Sequence, residues 1–458
     1  MFLKKLFSIQ GHPQESKEIP SDKLTFMVKK EVKSLLDSGR LFFEEKKFEE
    51  AIRVYTQAVE ADPECGLCHF NLGYVHHENG QFAQAMQSYE KAIEIEPTCN
   101  LFLEHCARLH FEMLDYKEAT RLFYRASLVG KIQPVSLGLW GRALFEQGLF
   151  EQSIETFERL LEQQQQPVIQ NGAKYWLAIA RIKLEHLAAA RRIIFELLTV
   201  ADLDHKVLFE LGEHLIEAKC LSLARAVFAK VMAEQPDSLL SRLRTEDIES
   251  LEKQIDEMLP KIFEGDEERM LHQIHALSEF GNDKISRALL SLIHSPSAPL
   301  REVIIRYQAK FGYDVSEKIL PFLRDPVPFV REAAFEYFEK LFQGIHLKEL
   351  IRGLQDPNIN VRRITARILG RFGSFEHLPE LEIALSDPSC QPCHHEIRQA
   401  IGRIKHRYQR KIDQLYNEKT PLHFPVAAKS RKKDWRFWFL IAFQIAAVAY
   451  FIYSILTL

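Results

Sequence analysis

Apolar positions recur every three to four residues through most of this chain, and no stretch sustains the alternation a half-buried strand needs. The pattern predicts helices throughout. A longer period lies over the short one. The stretch Gly66–Cys99, moved back by 34 residues, lies on Val32–Cys65. Gly73 then falls on Gly39, Ala85 on Ala51, Tyr89 on Tyr55, Ala92 on Ala58 and Pro97 on Pro63. Each unit reads as two antiparallel helices. Gly73 and Ala85 are expected where the pair crosses, because only a small side chain fits there. Tyr89 and Ala92 are expected to meet the following unit. Pro97 ends the second helix, having no amide hydrogen and disfavouring helix in the residue before it.

The frame continues through Asn100–Gln133 (Ala107, Tyr116, Ala119, Phe123, Ala126) and Pro134–Pro167 (Trp140, Gly141, Gly148, Phe150, Phe157). Glutamines at 163–166 lengthen one connection, and the pattern resumes at Asn171 with Leu177, Ala178, Leu187, Ala190 and Ile194. His205–Ser238 repeats it with Leu211, Gly212, Leu221, Ala224, Phe228 and Pro236. This spacing of small, aromatic and Pro markers resembles the tetratricopeptide repeat. The resemblance implies six copies over 32–238, an all-α solenoid, and an interaction scaffold. Residues 1–31 read as a flexible lead-in. The acidic, amphipathic stretch 239–265 reads as a capping or linking helix that closes the last repeat's edge.

From Asp266 the period changes. Pro-containing turns are followed by a hydrophobic–Arg pair, with the arginines at 301, 331, 362 and 398. Asp325–Pro326 and Asp356–Pro357 carry turn and N-cap chemistry. These units resemble short HEAT-like repeats, which implies about four copies over 266–411, with each Arg paired to an acidic group of a neighbouring turn. A linker at 412–434 leads to a closing helix at 435–458. From Phe437 onward the sequence is almost wholly apolar, and 22 residues at about 1.5 Å each reach about 33 Å, enough for a hydrocarbon core of about 30 Å. Lys429, Arg431, Lys432, Lys433 and Arg436, with Trp435 and Trp438, flank one end of that run. The expected protein is therefore tail-anchored, single-pass, with its bulk in the cytoplasm (facing inward from the inner membrane in a bacterium).

Composition narrows the function without choosing it. A net charge of −3 argues against nucleic acid as the partner of the whole chain. The opening segment lacks the apolar core of a secretory signal. Seven dispersed cysteines suit a reduced compartment, not a disulfide framework. No phosphate loop, nucleophile elbow or metalloprotease helix is present, so an enzyme is not expected.

The candidate chemistry lies on the first helix of each repeat, which the resemblance places along a concave groove. Positions near its end read Arg40 and Glu44, Tyr74 and Glu78, Arg108 and Glu112, Arg142 and Glu146, with Phe43, His77, Phe111 and Phe145 between them. Such a ladder suits an extended or helical peptide: arginine forks carboxylates, and aromatics anchor. Simple i,i+4 pairing on a solvated face is the alternative. The family's chaperone-tail clamp is not expected, since only Asn71 among Leu36, Arg40, Asn71, Leu101 and His105 matches that set. Two strings, Cys65–His69 and Cys390–His394, carry CxxCH spacing, giving a haem- or metal-carrying protein as one alternative. Cys390, Cys393, His394 and His395 offer zinc ligands, or else an ordinary exposed turn. A lyase-type modifier using the HEAT-like half is a further alternative. Basic residues of the last repeat helix, Arg398 to Lys411, add a positive zone beside the expected bilayer, the second expected partner after protein segments.

Overall fold

The computed structural model describes residues 30–163, 166–200, 203–341 and 346–419, with only the backbone of Lys30 and of 410–419. The expected apolar span and its flanking residues, Lys429, Arg431, Lys432, Lys433, Trp435, Arg436 and Trp438, lie outside the described residues. Among the described residues every regular element is helical, and no helix is long and apolar enough to cross a membrane. Two compact units divide between Ile401 and Gly402.

The first unit opens with six helix pairs: α1 (Lys30–Glu44) with α2 (Phe48–Ala61), α3 (Gly66–Glu78) with α4 (Phe82–Ile95), α5 (Asn100–Glu112) with α6 (Tyr116–Val129), α7 (Pro134–Glu146) with α8 (Phe150–Gln163), α9 (Pro167–Lys183) with α10 (Leu187–Leu198), and α11 (His205–Glu217) with α12 (Leu221–Glu234). One turn joins every pair. The amide of Leu114 donates to Phe111 O and that of Asp115 to His110 O, and the same two bonds recur at 46–47, 80–81, 148–149, 185–186 and 219–220. The first of each two residues has a left-handed backbone: Lys46, Gly80, Leu114, Gly148, Glu185 and Lys219. Only Gly80 and Gly148 adopt it without a Cβ penalty.

Within five of the six pairs the small marker answers an aromatic sixteen residues on, Ile194 taking that place in the fifth. A Cβ added at Gly39 would meet the Tyr55 ring at 2.6 Å, at Gly141 the Phe157 ring at 2.8 Å, and at Gly212 the Phe228 ring at 2.5 Å. Gly73 likewise meets Tyr89 at 2.9 Å. Tyr89 therefore serves two contacts: its ring fills the space the glycine of its own unit leaves, and it meets His105 of the following unit at 6.3 Å, as expected. The inserted glutamines also act differently from a longer loop. Pro167 starts α9 one turn early, at a position where a missing amide costs nothing, so α9 reaches 17 residues.

The helix α13 (Leu239–Met258) lies against α12, but it does not close an edge. Its other side meets α14 (Glu267–Leu277) through the turn at 259–263, so it links rather than caps. Buried Glu252 on α13 accepts from Asn282 Nδ2 at 3.3 Å and pairs with Arg225 of α12. Backbone bonds seal the junction: Gly281 N donates to Lys219 O at 2.8 Å and Ser222 N to Gly281 O at 3.2 Å.

From there the chain runs through α15 (Asp283–Ser291), α16 (Ala298–Phe311), α17 (Ser316–Ile319), α18 (Pro328–Leu341), α19 (Leu347–Leu350), α20 (Ile359–Phe372), α21 (Leu378–Ser386) and α22 (His394–Lys419). Arg301 forks Asp325 at 2.9 and 3.0 Å, and Arg331 forks Asp356 at 2.8 and 2.9 Å. Each of these arginines also donates to two carbonyls of the turn before its own helix. Each aspartate caps its own turn, Asp325 accepting from Val327 N and Asp356 from Asn358 N. The pairing then lapses. Arg362 donates to Ser389 O, and Arg398 is exposed. Residues 412–419, expected as linker, continue α22, with no Gly or Pro between Arg403 and Lys419.

Candidate functional site

The first helices α1, α3, α5, α7, α9 and α11 approach their neighbours of the same kind more closely than most second helices do. That asymmetry puts the first helices on the inner side of the curve. Along this face the ladder residues touch one another. Phe43 packs on Tyr74 with ring centroids 5.2 Å apart, and Tyr74 meets His105 at 5.3 Å. The Arg142 guanidinium lies over both Phe111, at 5.3 Å, and Trp176, at 5.1 Å, and Phe145 meets Trp176 at 5.2 Å. His77 Nε2 stands 3.4 Å from Glu112.

The ladder is thus only partly open. His77 and Phe111 are buried, covered by Glu112 and Arg142, and they are floor rather than contact surface. Arg40, Phe43, Tyr74, Glu78, Arg108, Glu112, Arg142 and Phe145 are half-buried, and Glu44 and Glu146 are exposed. The i,i+4 partners also meet: Arg40 Nε is 4.0 Å from Glu44 and Arg142 Nε 3.7 Å from Glu146. Two groups escaped the sequence reading. Trp176 falls after the inserted glutamines, which broke the frame. His105 was weighed only as a clamp position. Desolvation, then the charges of Arg108 and His77, hold the His105 imidazole well below its usual value, so it is neutral in the fold. Arg108 Nε, Asn71 Oδ1, Tyr89 Oη and Trp176 Nε1 are buried on these inner helices and their partners with no hydrogen-bond partner.

The cysteine strings are placed by packing. Cys65 is the N-cap of α3, its sulfur accepting from Cys68 N at 3.3 Å and lying 2.7 Å from the Cys68 sulfur. The hydrogen bond from Cys68 holds the Cys65 thiol below its ordinary value and pushes Cys68 up. His69 Nε2 engages Pro63 O at 2.9 Å. The second string lies in a turn that is exposed, as expected, at Pro388, Ser389, Gln391 and Pro392. Cys390 and Cys393 are buried, donating to Leu354 O at 3.9 Å and Ile359 O at 3.7 Å, while His395 contacts Gln399. The four residues are not brought together, and no group of three metal-ligating side chains forms among the described residues.

Residues 36–98 and 139–202 match the family model for the tetratricopeptide repeat. No curated protein matches the chain. Among solved structures, the chain is similar to YrrB, a tetratricopeptide protein with an unusual peptide-binding site: 16% identity, TM-score 0.37, 42% of this chain and 97% of that one. It is similar to PilF of Pseudomonas aeruginosa at 18% identity and TM-score 0.38, covering 47% and 97% of the two chains. It is also similar to the C-terminal part of a tetratricopeptide-containing protein of Cytophaga hutchinsonii, at 15% identity and TM-score 0.36, covering 60% and 95%. Tetratricopeptide repeats are thus shown at residues 36–98 and 139–202, and the described residues form a helical solenoid.

Proposed function

We propose that this chain is a membrane-anchored scaffold whose inner face, from α1 to α9, holds a peptide or helical segment of a protein partner. The observation that carries this reading is the set of buried polar atoms without partners. Arg108 Nε on α5 and Trp176 Nε1 on α9 are donors on first helices. A buried donor without an acceptor costs about 1–3 kcal/mol, and a peptide carbonyl or carboxylate removes that cost. Tyr74, Phe145 and the Arg142 stack supply rigid apolar walls beside them.

The C-terminal arginine–aspartate turns support a second, HEAT-like array with its own partner surface. The basic stretch 429–436 followed by apolar residues supports a single span, with the arrays on the cytoplasmic side. The test uses two variants of the full chain. Arg108→Glu keeps the protein in the membrane fraction and weakens co-purification of its groove partner by about tenfold or more. Truncation before Lys429 does the reverse, releasing a folded protein that retains the partner. A groove variant that keeps every partner contradicts the reading.

A further inference from the structure

Between the second helix of the fifth pair and the C-terminal helices lies a cavity of about 860 Å³. It belongs to neither the groove nor the arginine–aspartate turns. Its closure depends on Gly312, the left-handed C-cap of α16, whose absent Cβ would stand 2.6 Å from Ala188 Cα on α10. The close approach of those backbones sets the cavity's two sides opposite each other.

The lining is electrostatically one-sided. Seven cationic side chains from six helices face two carboxylates, Asp283 and Asp314. Arg191 is already engaged, over the Tyr313 ring at 4.4 Å and 3.4 Å from Asp283. Arg181, nine-tenths buried, pairs with Glu158, yet its Nε has no acceptor. Burial first, and then the charges of Arg371 and Arg192, hold the Arg181 guanidinium below its ordinary value. Arg192, Lys318 and Lys340 make no ion pair among the described residues. Like charges brought to one concave site raise the energy of the fold, and a cleft of one sign concentrates counter-ions. Nothing in the helices' own packing requires this convergence.

We infer that this cavity, closed by the α10–α16 contact and lined by Arg181, Arg192, Arg287, Lys318, Lys340 and Arg371, binds a small anion carrying two or more phosphate groups. Four of these six groups are arginines, whose planar forks fit phosphate oxygens. Each phosphate monoester brings a charge of about −1.5 to −2 near neutral pH, so two or three of them offset the unpaired cations. The volume is that of a small-molecule site, with Leu290, Val315 and Phe372 giving an apolar margin. Soluble polyphosphates and the headgroup of a phosphorylated inositol lipid share this chemistry.

The test is calorimetry on the full chain in nanodiscs of neutral lipid, titrated with inorganic tripolyphosphate. The expected result is one site per chain, with affinity falling as salt rises. Arg192→Glu with Lys318→Glu, two exposed positions, weakens binding by about tenfold or more without lowering the unfolding midpoint. Arg53→Glu on α2, remote from the cavity, leaves binding intact. Nanodiscs containing phosphatidylinositol bisphosphate separate the sources. Loss of tripolyphosphate binding there assigns the site to a headgroup, and unchanged binding assigns it to a soluble ligand. Absent binding, binding indifferent to the double variant, or equal binding of a polyglutamate peptide overturns the inference.

Discussion

His105 shows how one residue couples the groove to solution conditions. Its ring is packed edge-on against Phe70 at 5.0 Å and Tyr74 at 5.3 Å. Arg108 and His77 add positive charge beside it, so the folded state keeps the imidazole neutral below its usual value of 6.5. The unfolded chain takes up a proton as pH falls through that usual value, while the native state does not. Stability is therefore full above about pH 6.5 and declines as pH falls below it, because the unfolded state then binds more protons. Unfolding midpoints measured between about pH 5 and pH 8 are expected to drop on the acid side, and His105→Gln to flatten that slope. At this scale the sequence showed which residues line the inner helices, but not which are floor. The burial of Phe111 depends on Arg142, a residue 31 positions away, lying across it.

At the scale of elements, the recurring turn is the most regular device in the repeats. Leu114 takes a left-handed backbone with its side chain 68% exposed, so it incurs the Cβ penalty and packs little in return. Leu114→Gly is expected to stabilise by about 0.5–1 kcal/mol, and Gly148→Ala to destabilise by a similar amount, read from urea midpoints. The C-terminal turns behave oppositely, because there the side chains hold the backbone. Arg331 and Asp356 are both nearly buried in their pair. Asp356→Ala leaves an uncompensated guanidinium and is expected to cost about 3–5 kcal/mol, with amide exchange rising first in α18 and α20. The 34-residue markers were legible because packing two helices demands a small residue opposite a ring. The αL turn was not, since Lys46, Leu114, Glu185 and Lys219 give no compositional hint of it. The turn at 388–393 is exposed at its other positions, but its two cysteines are buried. Its polar neighbours gave no hint that the two thiols reach the carbonyls of Leu354 and Ile359.

Across the whole molecule, the order of the arrays could be read along the chain, but their mutual contact could not. Ala188 and Gly312 lie 124 positions apart, and no periodicity announces that one must accommodate the other. The phosphate-sized cavity follows from that contact, which explains why its cations look in the sequence like ordinary solvated faces. The groove depends on a different geometry, the closeness of first helices along the inner side. A photo-crosslinking residue placed singly at Glu44 or Glu146 on that side, and at Glu90 or Glu155 on second helices, tests it most directly in the whole chain inside cells. The account predicts one partner crosslinked from both inner positions, from neither outer one, and lost from both on Arg108→Glu. Equal crosslinking from the outer positions, or inner crosslinks indifferent to Arg108→Glu, would contradict it.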